Sequence, residues 1–80
     1  MNYPTWPSNE LLTISPSDST VHTPAIRQIY VANTGNVAVE DEKGNQVTFV
    51  NVPSGFYLTS FFVKKVLATG TTANGLIGFK

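Results

Sequence analysis

The chain has 80 residues, with five Lys or Arg balanced by five Asp or Glu, one histidine and no cysteine. This balance sets up no field that would recruit a polyanion, so nucleic-acid binding is not expected; a lone His22 does not build a zinc site, and no cofactor is implied. A domain of this length buries only roughly 60 to 65% of its unfolded surface, and with disulfides and metal absent the expected compensation is association between chains.

The longest apolar run falls well short of a bilayer-spanning segment, and no basic region followed by an apolar block opens the sequence. Synthesis in the cytoplasm, starting near Met1, is the expectation. Residues 1–25 hold Pro4, Pro7, Pro16 and Pro24, which exclude a helix or central strand. They read as an extended N-terminal arm and loop. Leu11, Leu12 and Ile14 are placed to add a short edge strand, whereas Tyr3 and Trp6 lie outside any periodic segment and need a surface to sit on. Docking of the arm on a neighbouring subunit or partner is therefore expected.

The stretch SPSDSTVHTP at 15–24 is rich in side chains that bond to their own backbone. Ser17, Asp18, Ser19 and His22 stand close together in it, as a hydrolase would place a nucleophile, an acid and a base. A triad also needs an oxyanion hole and a defined geometry, and nothing else in the sequence points to either. The group reads instead as an Asx or Ser turn entering the first core strand, with His22 a surface or interface hydrogen-bonding residue.

From residue 26 to 80 the sequence reads as a β-sandwich domain. Three apolar runs, IRQIYVA, NVAVE and QVTFV, are separated by NTGN and EKGN. Ile29, Val31, Val37, Val39, Val47 and Phe49 recur at every second position and are expected to make one buried face. Both connectors carry Asn and Gly, which suit tight hairpins, so the three runs are expected to fold back on one another as an antiparallel meander. NVPSG at 51–55 then supplies a turn through Pro53 and Gly55.

The segment FYLTSFFVKKVLA at 56–68 is long enough for a helix, but its aromatic and β-branched content favours a strand. Both of its faces are partly apolar, as in a sandwich core or a subunit interface. Lys64 and Lys65 point to opposite faces of a regular strand, and a bulge near them would bring Val63 and Val66 to the same side. ATGTTANG at 68–75 is a second long turn, without the lysine and helix of a phosphate loop. LIGFK is the last strand, in which Gly78 would admit a neighbouring backbone. The fold class is thus all-β: a small antiparallel β-sandwich or barrel-like sheet with an extended N-terminal arm.

The order of motifs, PSD at 16–18, Pro24 before RxIYV at 27–31, GN at 35–36, VTFxNVPxG at 47–55 and VLATGTTA at 66–73, resembles the spike-base family of small head proteins of tailed bacteriophages and gene transfer agents. The likeness spans about residues 14–79. It implies a virion component without enzyme activity on the outer capsid surface, either a capsid decoration (cement) protein or the oligomeric base of a head spike. It also implies a homo-oligomer, trimer or pentamer, that meets the major capsid protein and in one case carries a spike or fibre protein. The chain departs from the family in its arm MNYPTWPSNELL, in VHTP at 21–24, and in TSFFVKK, where members carry a proline and basic residues. Tyr3, Trp6, Leu11, Leu12, Tyr57, Phe61 and Phe62 are the residues expected at the oligomer or capsid interface. A different class, a host-glycan or receptor binding module of a fibre or tail, would use Trp6, Tyr3 or Tyr57 as an aromatic platform.

Overall fold

A computed structural model describes residues 10–80, with Ser60 described by its backbone alone. β-Branched and aromatic residues in alternation give strands rather than helices, and the described residues form β1 (Leu11–Thr13), β2 (Ile26–Asn33), β3 (Gly35–Asp41), β4 (Gln46–Val52), β5 (Phe56–Val66) and β6 (Asn74–Phe79). All pairings are antiparallel, in one sheet of order β1-β6-β2-β5-β3-β4. The protein is all-β, and the edge strand expected from Leu11 and Leu12 is β1.

The expected meander is corrected at its first connector. β3 and β4 form a hairpin, with Gly44 at φ 90 in the turn, but β2 and β3 are separated by β5. The physical reason lies at Gly35, which does not adopt the positive φ that a tight hairpin uses. Its missing side chain provides space: a Cβ there would lie 2.5 Å from the Ala73 nitrogen. The chain therefore crosses to the far side of the sheet, where the 67–73 segment meets it.

β5 serves two neighbours along its 11 residues. Phe56 to Thr59 pair with Val31 to Gln28 of β2, whereas Val63, Lys65 and Val66 pair with Asp41, Glu40 and Val39 of β3. The register shift between Glu40 and Asp41 leaves Lys64 as the extra residue, which is the bulge expected there. Val63 and Val66 both turn inward and are 1% and 2% exposed.

Beyond β5 the 67–73 segment continues along the free half of β3. Leu67 N donates to the Ala38 carbonyl at 2.8 Å, and Thr72 N and Ala73 N donate to that of Asn36 at 2.9 and 3.1 Å. In return Ala38 N donates to Thr71 Oγ1 at 2.9 Å and Asn36 N to Thr72 Oγ1 at 2.8 Å. The chain then enters β6, which returns to β2. The sheet is closed in this way into a barrel-like wall around Ile26, Ile29, Val31, Val37, Val63, Val66 and Leu76, all essentially inaccessible. Each such side chain contributes about 1.5–3 kcal/mol on leaving water.

Ile14, from the segment after β1, joins this core. Residues 15–22 then cover the edge of β5 that β2 leaves free, with Ser17 N donating to the Val66 carbonyl at 2.8 Å and His22 N to that of Lys64 at 2.7 Å. Two further expectations are corrected. Gly78 makes room for side chains rather than backbone, since a Cβ there would meet Leu12 Cδ2 at 2.9 Å and Ile14 Cδ1 at 3.1 Å. The meander's buried face stops before Val47, which is 52% exposed because, among the described residues, β4 is held by β3 alone and overhangs the core.

Gly35→Ala is expected to cost more than about 2 kcal/mol, because backbone atoms of Ala73 must move. Gly44→Ala meets no atom within 4 Å and suffers only from its φ of 90, at about 1–2 kcal/mol. Urea unfolding of both variants at one protein concentration checks the ranking.

Candidate interaction surface

Residues directly opposite in an antiparallel pair share a face, so the register locates the outer surface. Leu11 lies opposite Phe79, and Phe79 opposite Gln28; in the next row Ile77 lies opposite Tyr30, and Tyr30 opposite Tyr57. The outer face of β1, β6, β2 and β5 thus gathers Leu11, Phe79, Ile77, Tyr30 and Tyr57. Tyr57 holds the cluster together, with its ring centroid 5.0 Å from Tyr30 and 6.3 Å from Phe79, both tilted. Leu11, Tyr57 and Ile77 are 65%, 49% and 38% exposed. Contiguous exposed apolar groups of this kind mark contact surfaces in proteins that do not aggregate.

A second apolar region lies where β4 overhangs. Phe49 and Phe61 stack at 6.0 Å and pack against the edge of the core; Val47 and Val50 are exposed on opposite faces of β4, and Phe62, on the other face of β5 from Phe61, is exposed as well. Of the residues expected at an interface, Leu11 and Tyr57 fall in the first region and Phe61 and Phe62 in the second. Leu12 is turned inward against Gly78, and Tyr3 and Trp6 lie outside the described residues. The outer apolar regions also hold Tyr30, Ile77, Phe79 and Val50, which the sequence reading did not single out. The parity of Tyr30 against buried Ile29 and Val31 was a readable signal; its partners were not, because strand order sets them.

The charged groups have structural work instead. Glu40, 7% exposed, accepts from Gln46 Nε2 at 2.9 Å and pairs with Lys64 at 3.2 Å and Lys65 at 4.0 Å. The bulge brings both lysines to one carboxylate, which corrects the expectation that they point apart. These contacts, that from Gln46 foremost, hold the Glu40 carboxyl below its ordinary pKa and tie β3, β4 and β5 together.

In the Ser-Asp-His group, Asp18 accepts from Thr69 N at 3.0 Å and Thr69 Oγ1 at 2.7 Å, and these bonds lower its pKa. Ser17 Oγ accepts from the backbone of Ser19 and Thr20. Asp18 therefore fastens the 15–22 loop to the 67–73 segment, and Ser17 makes the expected Ser turn. Burial, with a smaller effect from Lys80, lowers the pKa of His22. Asp41 closes the β3–β4 turn by accepting from Asn45 and Lys43, which lowers its pKa as well.

No protein-family model and no curated protein matches the sequence. Among solved structures, the chain is similar to a component of the capsid of a native gene transfer agent (GTA) particle computed with C5 symmetry. The TM-score is 0.78 and the identity 38%, over 92% of this chain and 84% of that one. Fold and surface together define a small all-β, capsid-associated protein. The chain belongs to the family of that gene transfer agent capsid component.

Acid is expected to destabilise the fold in two stages. His22 is less basic in the fold than unfolded, so stability falls as pH drops below about 6.5 and the unfolded chain takes up the proton. Asp18, Glu40 and Asp41 are more acidic in the fold, so their contribution is intact above the unfolded values near 4 and is lost as pH falls through the lower native ones. Denaturant midpoints measured from pH 7.5 to 2.5 check both stages; His22→Gln should flatten the first and leave the second.

Proposed function

We propose that this protein is a structural component of the outer capsid surface of a phage-like particle, a homo-oligomer acting as capsid decoration protein or as the base of a head spike, with no enzymatic role. The likeness to a gene transfer agent capsid component over nearly the whole chain carries the reading. The likeness accommodates both a pentameric spike base at a fivefold vertex and a trimeric cement protein. The major capsid protein is then the partner beneath, and a spike or fibre protein the partner above.

The exposed apolar groups support the same reading. Tyr57 and Phe62 are about half exposed, and covering the remaining half of each contributes on the order of 1 kcal/mol. Attachment through such groups rests on apolar burial more than on charge. A glycan platform would set an exposed aromatic beside Asn or Asp, whereas the ring neighbours of Tyr57 are Tyr30 and Phe79.

Purified protein added to particles lacking it should rebind, and a reconstruction should place it on the outer shell, five copies around a vertex for a spike base and three for a cement protein. Failure to bind shells, or an internal position, would overturn the proposal. Tyr57→Asp and Phe62→Asp are expected to lower particle occupancy at least tenfold while leaving the circular dichroism spectrum unchanged. Raising salt from 0.1 to 0.5 M, which shortens the screening length to a few ångströms, should change occupancy less than about twofold. Deleting residues 1–9 should also weaken attachment or assembly, as measured by cosedimentation with particles.

A further inference from the structure

Residues 15–25 run between two core side chains, Ile14 and Ile26, yet add none of their own to the core cluster. What holds them is polar. Ser17 N and His22 N donate to the Val66 and Lys64 carbonyls at 2.8 and 2.7 Å, Asp18 accepts twice from Thr69, and Lys80 Nζ reaches the Thr23 carbonyl at 3.5 Å. Segments fixed by hydrogen bonds rather than by buried apolar surface open locally, well below the free energy of global unfolding. Parting 15–22 from β5 breaks these few contacts and leaves Ile14 and Ile26 seated.

His22 is the group of this segment that changes charge in mild acid. Its ring is partly buried, and cations gather around it. Lys64 of β5 offers its carbonyl to the His22 N–H, Lys80 follows β6, and Arg27 of β2 donates from Nη2 to the Lys80 carbonyl oxygen at 3.2 Å. The nearby acids are occupied elsewhere or meet a cation first: Glu40 pairs with Lys64 at 3.2 Å, Asp18 is bonded to Thr69, and Glu10 lies beside Lys80, whose N–H its carbonyl accepts. Burial, with Lys80 second, disfavours the imidazolium in this position.

We infer that residues 15–22 form a pH-sensitive strap that parts from β5 when His22 is protonated, while the barrel-like wall stays folded. Opening sets the ring in water, where it regains its ordinary value near 6.5. Each unit of acid below that value therefore favours the open strap by up to about tenfold, the limit for one proton, until pH has fallen through the lower value of the closed state. Asp18 acts in a separate window: it is more acidic in the closed strap, so its fastening holds until pH falls below about 4. The open strap releases the Lys64 and Val66 carbonyls on the edge of β5. Opening is a property of the single chain and stands apart from capsid attachment.

Amide hydrogen exchange of the full chain, read by NMR at pH 7.5, 6.5 and 5.5 with and without dilute urea and corrected for intrinsic rates, tests the strap. At pH 7.5 Ser17 and His22 are expected to be at least about tenfold less protected than Leu67 and Thr72, which bond to the Ala38 and Asn36 carbonyls. Their exchange should hardly respond to urea, because opening exposes little surface. Between pH 6.5 and 5.5 their protection should fall about threefold to tenfold, over the range in which the His22 ring resonances titrate. His22→Gln should abolish the fall at Ser17, whereas Asp18→Asn should lower Ser17 protection at every pH and keep the fall. Protection and urea response equal to those of Leu67 would show that only the whole fold opens and would sink the strap. So would a His22 ring that titrates with Ser17 unmoved, a fall that survives His22→Gln, or an Asp18→Asn chain whose Ser17 is as protected as before.

Discussion

The structure depends on β5 being shared. It bonds to β2 through Phe56–Thr59 and Val63 and to β3 through Val63, Lys65 and Val66, with Lys64 bulged out so that the residue facing inward changes there. Without that extra residue Val63 and Val66 would point to opposite sides, and the core would lose one of its two deepest valines on this strand. The lysine displaced by the bulge is not wasted, since it reaches Glu40 beside Lys65 and Gln46. One irregularity thus settles both the apolar interior and the main charged contact of the fold.

The second constraint is space. A core this small leaves little room for error at the seam where residues 67–73 run along β3, and the seam is made almost wholly of backbone, threonine hydroxyls and glycine. Small residues let the two segments approach until main-chain groups bond directly. Asp18 then locks the outside of the seam through Thr69. The loop that resembles a catalytic grouping in the sequence is a fastening in three dimensions.

Local features were legible in the sequence. The strand character of 56–66, the bulge, the Gly44 turn and the edge strand at Leu11–Thr13 follow from periodicity and turn chemistry over short spans. Strand order was not. NTGN and EKGN carry the same Asn and Gly, yet Gly44 uses its freedom for a turn and Gly35 for clearance from Ala73, a residue 38 positions later (73 minus 35). Nothing local separates those uses. The aromatic cluster was half legible for the same reason: Tyr57 stood out as surplus apolar surface, whereas Tyr30 and Phe79 become its companions only once β2 lies between β5 and β6.

The way β1 is attached bears on how a tether would hold under load. From Glu10, bonded to Lys80, to Ile14, bonded to Leu76, β1 lies flat along β6. Tension applied to the chain at Glu10 along the strand axis stretches these bonds in shear, together, and drags Leu12 and Ile14 past Gly78 before anything parts. The same short strand pulled sideways would peel one bond at a time. Load carried through β1 is therefore resisted most firmly when it runs in the direction in which the strand lies.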